Sequence, residues 1–211
     1  RTQVELLLTQ IDPAYPLRGI VHAAGVLDDG ALLQQNWERF ARVLPAKVQG
    51  TWHLHEATKH LPLDFFVLFS SVASLLGNRG QANYAAANAF LDAFAHYRHT
   101  QGLPALSINW GGWSEVGLAA ERMRQSQQQG TVRGEGSLSP SQGIATFAHL
   151  LREHGAQVGV VPITWSHYLE ETSVLASFYQ HLHTVPGGLE KATEPVTLSL
   201  RKQLEQANDI E

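Results

Sequence analysis

The chain has 211 residues, of which 44% are hydrophobic and 16% charged, and this composition is typical of a soluble globular protein with one substantial core. No apolar run approaches the roughly 20 residues that span a membrane, and a net charge of −4 without a basic cluster argues against nucleic acid as the main partner. Zero cysteines exclude disulfides, thiolate metal sites and cysteine catalysis, and are compatible with a cytoplasmic protein.

Helical and strand patterns alternate along the chain. In chain order the predicted helices cover residues 4–11, 36–61, 81–101 and 139–155, and the predicted strands cover 19–24, 65–70, 105–109 and 158–163. Pro45 is expected to break the second helix into two, Gly102 to close the third, and Ser139-Pro140 to start the fourth. The apolar run over 65–70 does not alternate, which is typical of a parallel strand covered on both faces. The alternation predicts an α/β fold with a parallel sheet of four strands.

Residues 110–137 form a connection rich in Gly, Gln, Arg and Ser, and its unusual length indicates a function. Its apolar residues are Trp113, Val116, Leu118 and Met123. A flexible polar segment with a few apolar anchors can close over a ligand and exclude water, so we predict that it is a lid.

Side chains that could protonate a carbonyl oxygen lie in the middle of the chain. Ser70 and Ser71 end the 65–70 strand at its carboxyl end, where open α/β sheets bind ligands. Tyr84 and Asn88 are one turn apart on the next helix and share a face that small alanines leave accessible. Each residue alone has an ordinary structural explanation, and Lys47 alone would be a solvated lysine. A tyrosine, a serine and an ammonium group together provide what hydride reduction of a ketone requires.

Five stretches resemble the ketoreductase domains of modular polyketide synthases, which belong to the short-chain dehydrogenase/reductase superfamily. They are HAAGVLDD at 22–29, PAKVQG at 45–50, FSSVAS at 69–74, QANYAAANAFLD at 81–92 and NWGGW at 109–113. The resemblance runs from about residue 1 to 170. Most members of the superfamily carry a lysine one turn after the tyrosine, but here Asn88 has that position and Lys47 lies on the preceding helix. This exchange is typical of polyketide ketoreductases, and the resemblance implies a Rossmann-like doubly wound sheet.

The resemblance assigns roles to individual residues. Tyr84 would be the general acid that protonates the forming alkoxide, Ser71 would polarise the substrate carbonyl, and Asn88 would complete a proton relay. Lys47 would contact the nicotinamide ribose and lower the pKa of Tyr84. The NADPH-binding residues that the resemblance implies are Ala23, Ala24, Gly25, Lys47, Tyr84, Asn109 and Gly111.

The resemblance also implies a substrate and a partner. The substrate would be a β-ketoacyl chain linked through phosphopantetheine to an acyl carrier protein, and the parent protein would be a multifunctional transferase. Leu27-Asp28-Asp29 matches the motif that accompanies a D-configured hydroxyl product, called B-type, in this family. Leu76 stands where the alternative subtype has a tryptophan, and Ala86 replaces the proline of epimerising members.

The cofactor loop of this family, Gly-x-Gly-x-x-Gly between a strand and a helix, is absent from the sequence. Gly111-Gly112 and Pro186-Gly187-Gly188 lack the pattern. Since there is also no initiating Met, we expect residues 1–185 to be the catalytic portion of a reductase domain without its N-terminal half. That half would pair with the free edge of the 19–24 strand, and the chain alone would be inactive. Residues 186–211 are expected to be a tail or linker toward the carrier protein.

Other functions fit the sequence less well. His53 and His55 point to different faces of a helix, and His96 with His99 has no acidic partners, so no metal site is predicted. A serine hydrolase would need a Gly-x-Ser-x-Gly turn, which Ser71 lacks. A catalytically silent reductase-like structural or interaction module is the remaining alternative, although such a module would not need the four polar residues together.

Overall fold

A parallel sheet lies at the centre of the fold. In the computed structural model, which describes residues 2–118, 120, 121, 136–165 and 168, this sheet has four strands. They are β1 (Gly19–His22), β2 (Phe65–Ser71), β3 (Leu106–Trp110) and β4 (Gln157–Val160), and they lie side by side in that order. Ser70 is paired with Asn109 and Ser71 with Trp110, so the carboxyl ends of β2 and β3 meet at one edge. The predicted Rossmann-like α/β fold is confirmed.

Helices cover both faces of the sheet. Among the described residues they are α1 (Thr2–Thr9), α2 (Trp37–Leu44), α3 (Gly50–Thr58), α4 (Ala73–Leu76), α5 (Ala82–Thr100) and α6 (Pro140–Leu150). As predicted, Gly102 follows α5 with a left-handed φ of 69°, and Ser139 begins α6 through a capping box with Gln142. The helix predicted to run to residue 155 ends earlier, and β4 is shorter than the 158–163 prediction.

The second predicted helix divides at Pro45 into α2 and α3, as expected. A π-helical turn, Pro45–Gln49, joins α2 to α3, and both Pro45 and Gly50 keep right-handed helical angles. Proline cannot donate the usual backbone hydrogen bond, but a wider turn can accommodate this loss without ending the helix. The predicted division into two helices at Pro45 is therefore observed, with a π turn rather than a loop between them. Lys47 lies within this turn, a distortion that is frequent at functional sites.

Two apolar clusters hold the layers together. Phe66 and Leu68 of β2 pack on one face with Leu91 of α5, whereas Val67 packs on the other face with Leu150 of α6. The strand is thus covered on both faces, as its unalternating apolar sequence predicted.

Residues Arg1–Gln129 and Gly136–Pro162 form one compact unit, and all the elements named above belong to it. Of the second unit, residues 163–165 and 168 are described, and the rings of Trp165 and Tyr168 meet edge to face at 5.8 Å. The predicted tail over 186–211 lies outside the described residues. Within the described part of the chain, no helix is long and apolar enough to span a bilayer.

Candidate active site

Lys47 is buried at the carboxyl end of the sheet. Its side chain is 2% exposed, and Nζ donates to the Phe69 carbonyl at 2.8 Å. Nζ also lies 5.5 Å from the centroid of the Tyr84 ring. Burial lowers the pKa of Lys47 to about 8, while the charge of Asp92 acts in the opposite direction. An ammonium group has three N–H bonds, so Lys47 retains donors for a ligand beside Tyr84.

Tyr84 lies half-buried near the start of α5. Burial raises the pKa of Tyr84, and hydrogen bonding by Asn88 and Ser71 partly offsets this effect, while Asp29 adds to it. The lowering of the Tyr84 pKa by Lys47 stays a prediction: the Lys47 ammonium lies 5.5 Å from the centroid of the Tyr84 ring, and desolvation of the hydroxyl is the largest effect on this pKa. Tyr84 is therefore a phenol at neutral pH, which is the protonation state that a general acid needs.

The two adjacent serines have different environments. Ser71 Oγ accepts a hydrogen bond from the Ala73 backbone N–H at 3.2 Å, so its own hydrogen can be donated either to the Tyr84 hydroxyl or to a carbonyl oxygen beside it. Ser70 is buried, and its hydroxyl donates to the Asn88 carbonyl at 3.3 Å. Of the two, Ser71 is the residue that can contact a substrate.

Asn88 is fully buried one turn after Tyr84. Its Nδ2 donates to the Tyr84 carbonyl at 2.8 Å. Its Oδ1 has no hydrogen-bond partner among the described residues. Leaving a buried amide oxygen unpaired is costly, so this atom suits a site that a water molecule or a ligand completes.

One residue of the proposed cofactor-binding set, Gly25, lies against Lys47. Ala23 and Ala24 are exposed after β1. A Cβ built on Gly25 would lie 3.4 Å from Lys47 Cε and 3.6 Å from Leu118 Cδ1, which places Gly25 directly against the lysine. These small residues and the remaining Lys47 donors fit a ribose with its nicotinamide. No residue pattern in the sequence fits the pyrophosphate.

The other two residues of that set have structural explanations. Asn109 is fully buried, and its Oδ1 accepts from Gln157 Nε2 at 3.1 Å while its Nδ2 faces several internal acceptors. A Cβ on Gly111 would lie 2.7 Å from Val161 Cγ2. The close approach of Val161 is therefore sufficient reason for a glycine at this position.

Of the residues assigned to stereocontrol, Asp28 and Asp29 bind side chains of neighbouring helices. Leu27 and Leu76 are half-buried. Asp28 is 14% exposed in its side chain and pairs with Arg39 at 2.5 Å and with Arg42 at 3.0 Å. Asp29 accepts from Gln81 Nε2 at 3.1 Å, at the N-terminus of α5. The two aspartates therefore hold the segment after β1 against α2 and α5.

Asp92 is a polar residue of this region that sequence reasoning missed. It is 7% exposed, although aspartate is almost never buried without partners. Its carboxylate accepts hydrogen bonds from Ser74, Ser107 and Asn109. The available signal was spacing, since Tyr84, Asn88 and Asp92 follow one another at intervals of four and share a helix face.

Several histidines make internal contacts. His22, at the end of β1, is buried and donates from Nε2 to the Ala46 carbonyl of the π turn at 3.0 Å. Burial lowers the pKa of His22. His55 accepts a hydrogen bond from the buried Arg98 at 2.8 Å. Hydrogen bonds also engage His96 with Gln157 and His99 with Ala105. Within the described residues, no group of three or more acidic or histidine side chains could hold a metal ion.

The predicted lid is described in part. Trp113 bridges to Leu138, and its ring occupies the space where a Cβ on Gly143 would lie, at 2.2 Å. This residue is thus fixed against α6. Residues 119 and 122–135, with Met123 among them, lie outside the described residues. The lid stays a prediction.

Comparison with known proteins identifies a matching family model and similar proteins. The family model described as "KR domain" matches residues 1–115. Phthioceranic/hydroxyphthioceranic acid synthase of Mycobacterium tuberculosis is 39% identical over 181 residues, which are 85% of this chain and 8% of that protein. Polyketide synthase GfsB of Streptomyces halstedii is 47% identical over 146 residues, which are 69% of this chain and 3% of that protein.

Solved structures agree with the sequence relatives. The first ketoreductase of the tylosin polyketide synthase has a TM-score of 0.73 and 36% identity, covering 83% of this chain and 37% of that one. A-type ketoreductases from a modular polyketide synthase give a TM-score of 0.73 and 32% identity, covering 81% of this chain and 36% of that one. The chain spans only a small part of the two curated relatives named above, 8% of the mycobacterial synthase and 3% of GfsB.

Proposed function

Because this chain belongs to the KR domain family, the ketoreductases of polyketide synthases, we propose that it carries the catalytic residues for reducing a β-ketoacyl thioester to a β-hydroxyacyl thioester with NADPH. The observation that supports this most directly is the grouping of Lys47, Ser71, Tyr84 and Asn88. Lys47 lies over the Tyr84 ring, and Ser71 and Asn88 both lower the pKa of the Tyr84 hydroxyl. A structural or interaction module would have no need for this grouping.

The proposed chemistry assigns one task to each of these side chains. The cofactor, when bound, supplies the hydride that reduces the carbonyl carbon. Ser71 donates its hydroxyl hydrogen to the carbonyl oxygen, and Tyr84 transfers its phenolic proton to the same oxygen. The Lys47 ammonium stabilises the phenolate that remains and has N–H donors left for ribose hydroxyls. Asn88 Oδ1 can hold a water molecule that returns a proton to the site.

We propose a D-configured product on the basis of Leu27-Asp28-Asp29 and Leu76. The contacts of Asp28 support a structural basis for this assignment, since its ion pairs fix the segment that begins with Leu27 against α2 and its carbonyl accepts from Asn83 Nδ2 of α5 at 2.8 Å. Relatives named as A-type and as C2-type have the same fold, so individual residues rather than the fold must set the stereochemistry. Chiral analysis of the product from a short diketide thioester tests this, and an L-hydroxyl would contradict it.

We further propose that residues 1–185 are the catalytic portion of a cytoplasmic reductase domain and that a preceding segment supplies the pyrophosphate-binding loop. The absence of Gly-x-Gly-x-x-Gly from the 211 residues supports this, as does the position of β1 at an edge of the sheet. The proposed substrate carrier is an acyl carrier protein with a phosphopantetheine-linked chain, and residues 186–211 would lead toward it. The preference for NADPH over NADH rests on the family alone.

The test is NADPH oxidation with a β-ketoacyl thioester, measured for the isolated chain and for the chain together with its preceding segment. We expect the isolated chain to be silent, because loss of pyrophosphate contacts should weaken NADPH binding on the order of a thousandfold. Turnover should appear once the preceding segment is present. Robust turnover by the isolated chain would contradict the proposal that a preceding segment supplies part of the cofactor site. No turnover by the two together, with NADPH bound, would favour the silent module.

A further inference from the structure

A buried polar network lies beneath the residues of the proposed reaction, and its centre is Asp92. The Asp92 carboxylate accepts from Ser107 Oγ at 2.6 Å through Oδ1, and from Ser74 Oγ at 2.6 Å and Asn109 Nδ2 at 2.8 Å through Oδ2. A buried carboxylate is stable only with such partners. Because these partners come from α4 and β3, the carboxylate on α5 joins three elements at the carboxyl end of the sheet.

One branch of this network reaches the proposed catalytic serine. Ser74 Oγ lies 2.8 Å from the Ser71 carbonyl oxygen as well as 2.6 Å from Asp92 Oδ2. Its one hydrogen is therefore shared between the two acceptors. The Ser71 carbonyl also accepts from Asn109 Nδ2 at 3.4 Å, so Ser74 makes the shorter of the two side-chain contacts with this backbone.

The branch through Ser107 offers a contrast. Ser107 Oγ makes a bond of the same length to the same carboxylate, but it stands in the middle of β3 opposite Leu68. It is fully buried, and its described side-chain hydrogen bond ends at Asp92. The two serines thus anchor the same carboxylate, but only Ser74 connects it to Ser71.

We propose that Ser74 is a positioning residue for Ser71: anchored on the buried Asp92 carboxylate, it fixes the backbone that carries the hydroxyl directed at the substrate carbonyl. This inference rests on the proposed function of Ser71. Displacing a reacting or orienting group by about 1 Å can reduce turnover on the order of a hundredfold, so a contact that holds Ser71 in place affects the rate without touching the substrate.

The first test needs neither substrate nor cofactor. The Ala73 backbone N–H donates to Ser71 Oγ at 3.2 Å, so its hydrogen exchange reports whether that hydroxyl keeps its place. We expect Ser74→Ala to accelerate exchange of the Ala73 amide in the chain, and we expect the matched variant Ser107→Ala to leave it unchanged. Equal exchange in the two variants would overturn the proposal.

The second test is the rate of the full reductase domain. Each variant loses one hydrogen bond to Asp92, and Ser74→Ala also loses the contact with the Ser71 carbonyl, so its thermal stability should fall at least as far as that of Ser107→Ala. Ser74→Ala should lower kcat on the order of ten- to a hundredfold with KM and NADPH affinity unchanged, whereas Ser107→Ala should keep kcat within about twofold. Equal kcat values for the two variants would refute the positioning role. A wild-type domain without turnover would instead refute the proposed function, and the amide exchange of Ala73 would still decide the inference.

Discussion

Replacing Lys47 by Met should stabilise the folded chain at neutral pH. Burial lowers the pKa of Lys47 from its ordinary 10.5 to about 8. One pKa unit corresponds to about 1.4 kcal/mol, so keeping this side chain protonated costs the folded state about 3 kcal/mol at pH 7. Methionine has a similar length and no charge to desolvate. The gain is reduced by loss of the hydrogen bond to the Phe69 carbonyl, which contributes about 1 kcal/mol.

The pH dependence gives this prediction its sign. Because the pKa of Lys47 is lower in the folded than in the unfolded chain, the unfolded chain binds more protons between pH 8 and 10.5. The free energy of unfolding of the wild-type chain therefore rises with pH in this window. The advantage of Lys47→Met, about 2 to 3 kcal/mol at pH 7, should disappear by about pH 10.5.

Urea denaturation of the two chains at pH 7, 8.5 and 10 measures the difference. Lys59→Met is the matched control, because the Lys59 side chain is 48% exposed and such surface changes usually alter stability by less than about 0.5 kcal/mol. The advantage of Lys47→Met could be absent at pH 7, or it could stay constant from pH 7 to 10. Either result would contradict the claim that the buried charge of Lys47 destabilises the folded chain.

Three further results are expected. Asp92→Asn should lower the pKa of Lys47 below about 8, since it removes the charge that raises it, and NMR titration of the lysine would show this; an unchanged pKa contradicts the coupling. Burial lowers the pKa of His22, so the unfolded chain takes up a proton at this histidine before the folded chain does, and the free energy of unfolding should fall as the pH drops below 6.5. Urea denaturation of His22→Gln should show a smaller fall. An identical dependence of the free energy of unfolding on pH in the two chains would refute this. Gly111→Ala would bring a Cβ within 2.7 Å of Val161 and should cost about 1–3 kcal/mol in urea denaturation, whereas no loss would show that Val161 moves aside.

Local patterns were sufficient for the strands and for the polar residues that the strands bring together. The apolar run over 65–70 predicted a parallel strand covered on both faces, and β2 has this environment because Phe66 and Val67 pack in opposite clusters. Ser71 and Tyr84 could be placed near one another, since both lie at the carboxyl end of the sheet or on the helix that follows it. The strand and helix patterns alone were enough to predict both positions.

Features that depend on distant partners could not be predicted in the same way. The sequence shows that Pro45 lacks an N–H, but it does not show that a π turn follows α2 or that the Ala46 carbonyl of this turn is bonded to His22. The role of Asp92 depends on hydroxyl groups up to 18 residues away. For Gly111, a motif suggested a cofactor contact. The structure gives a packing reason for this glycine, the close approach of Val161, which follows β4.

The central claim is that Tyr84 protonates a substrate carbonyl, and the direct measurement is the turnover of Tyr84→Phe in the full reductase domain. General acid catalysis typically contributes about 10²–10⁴-fold, so kcat for a β-ketoacyl thioester should fall at least about a hundredfold. NADPH binding, followed by its fluorescence, should be retained. A variant that keeps most of its turnover would contradict the assignment of Tyr84 as the acid.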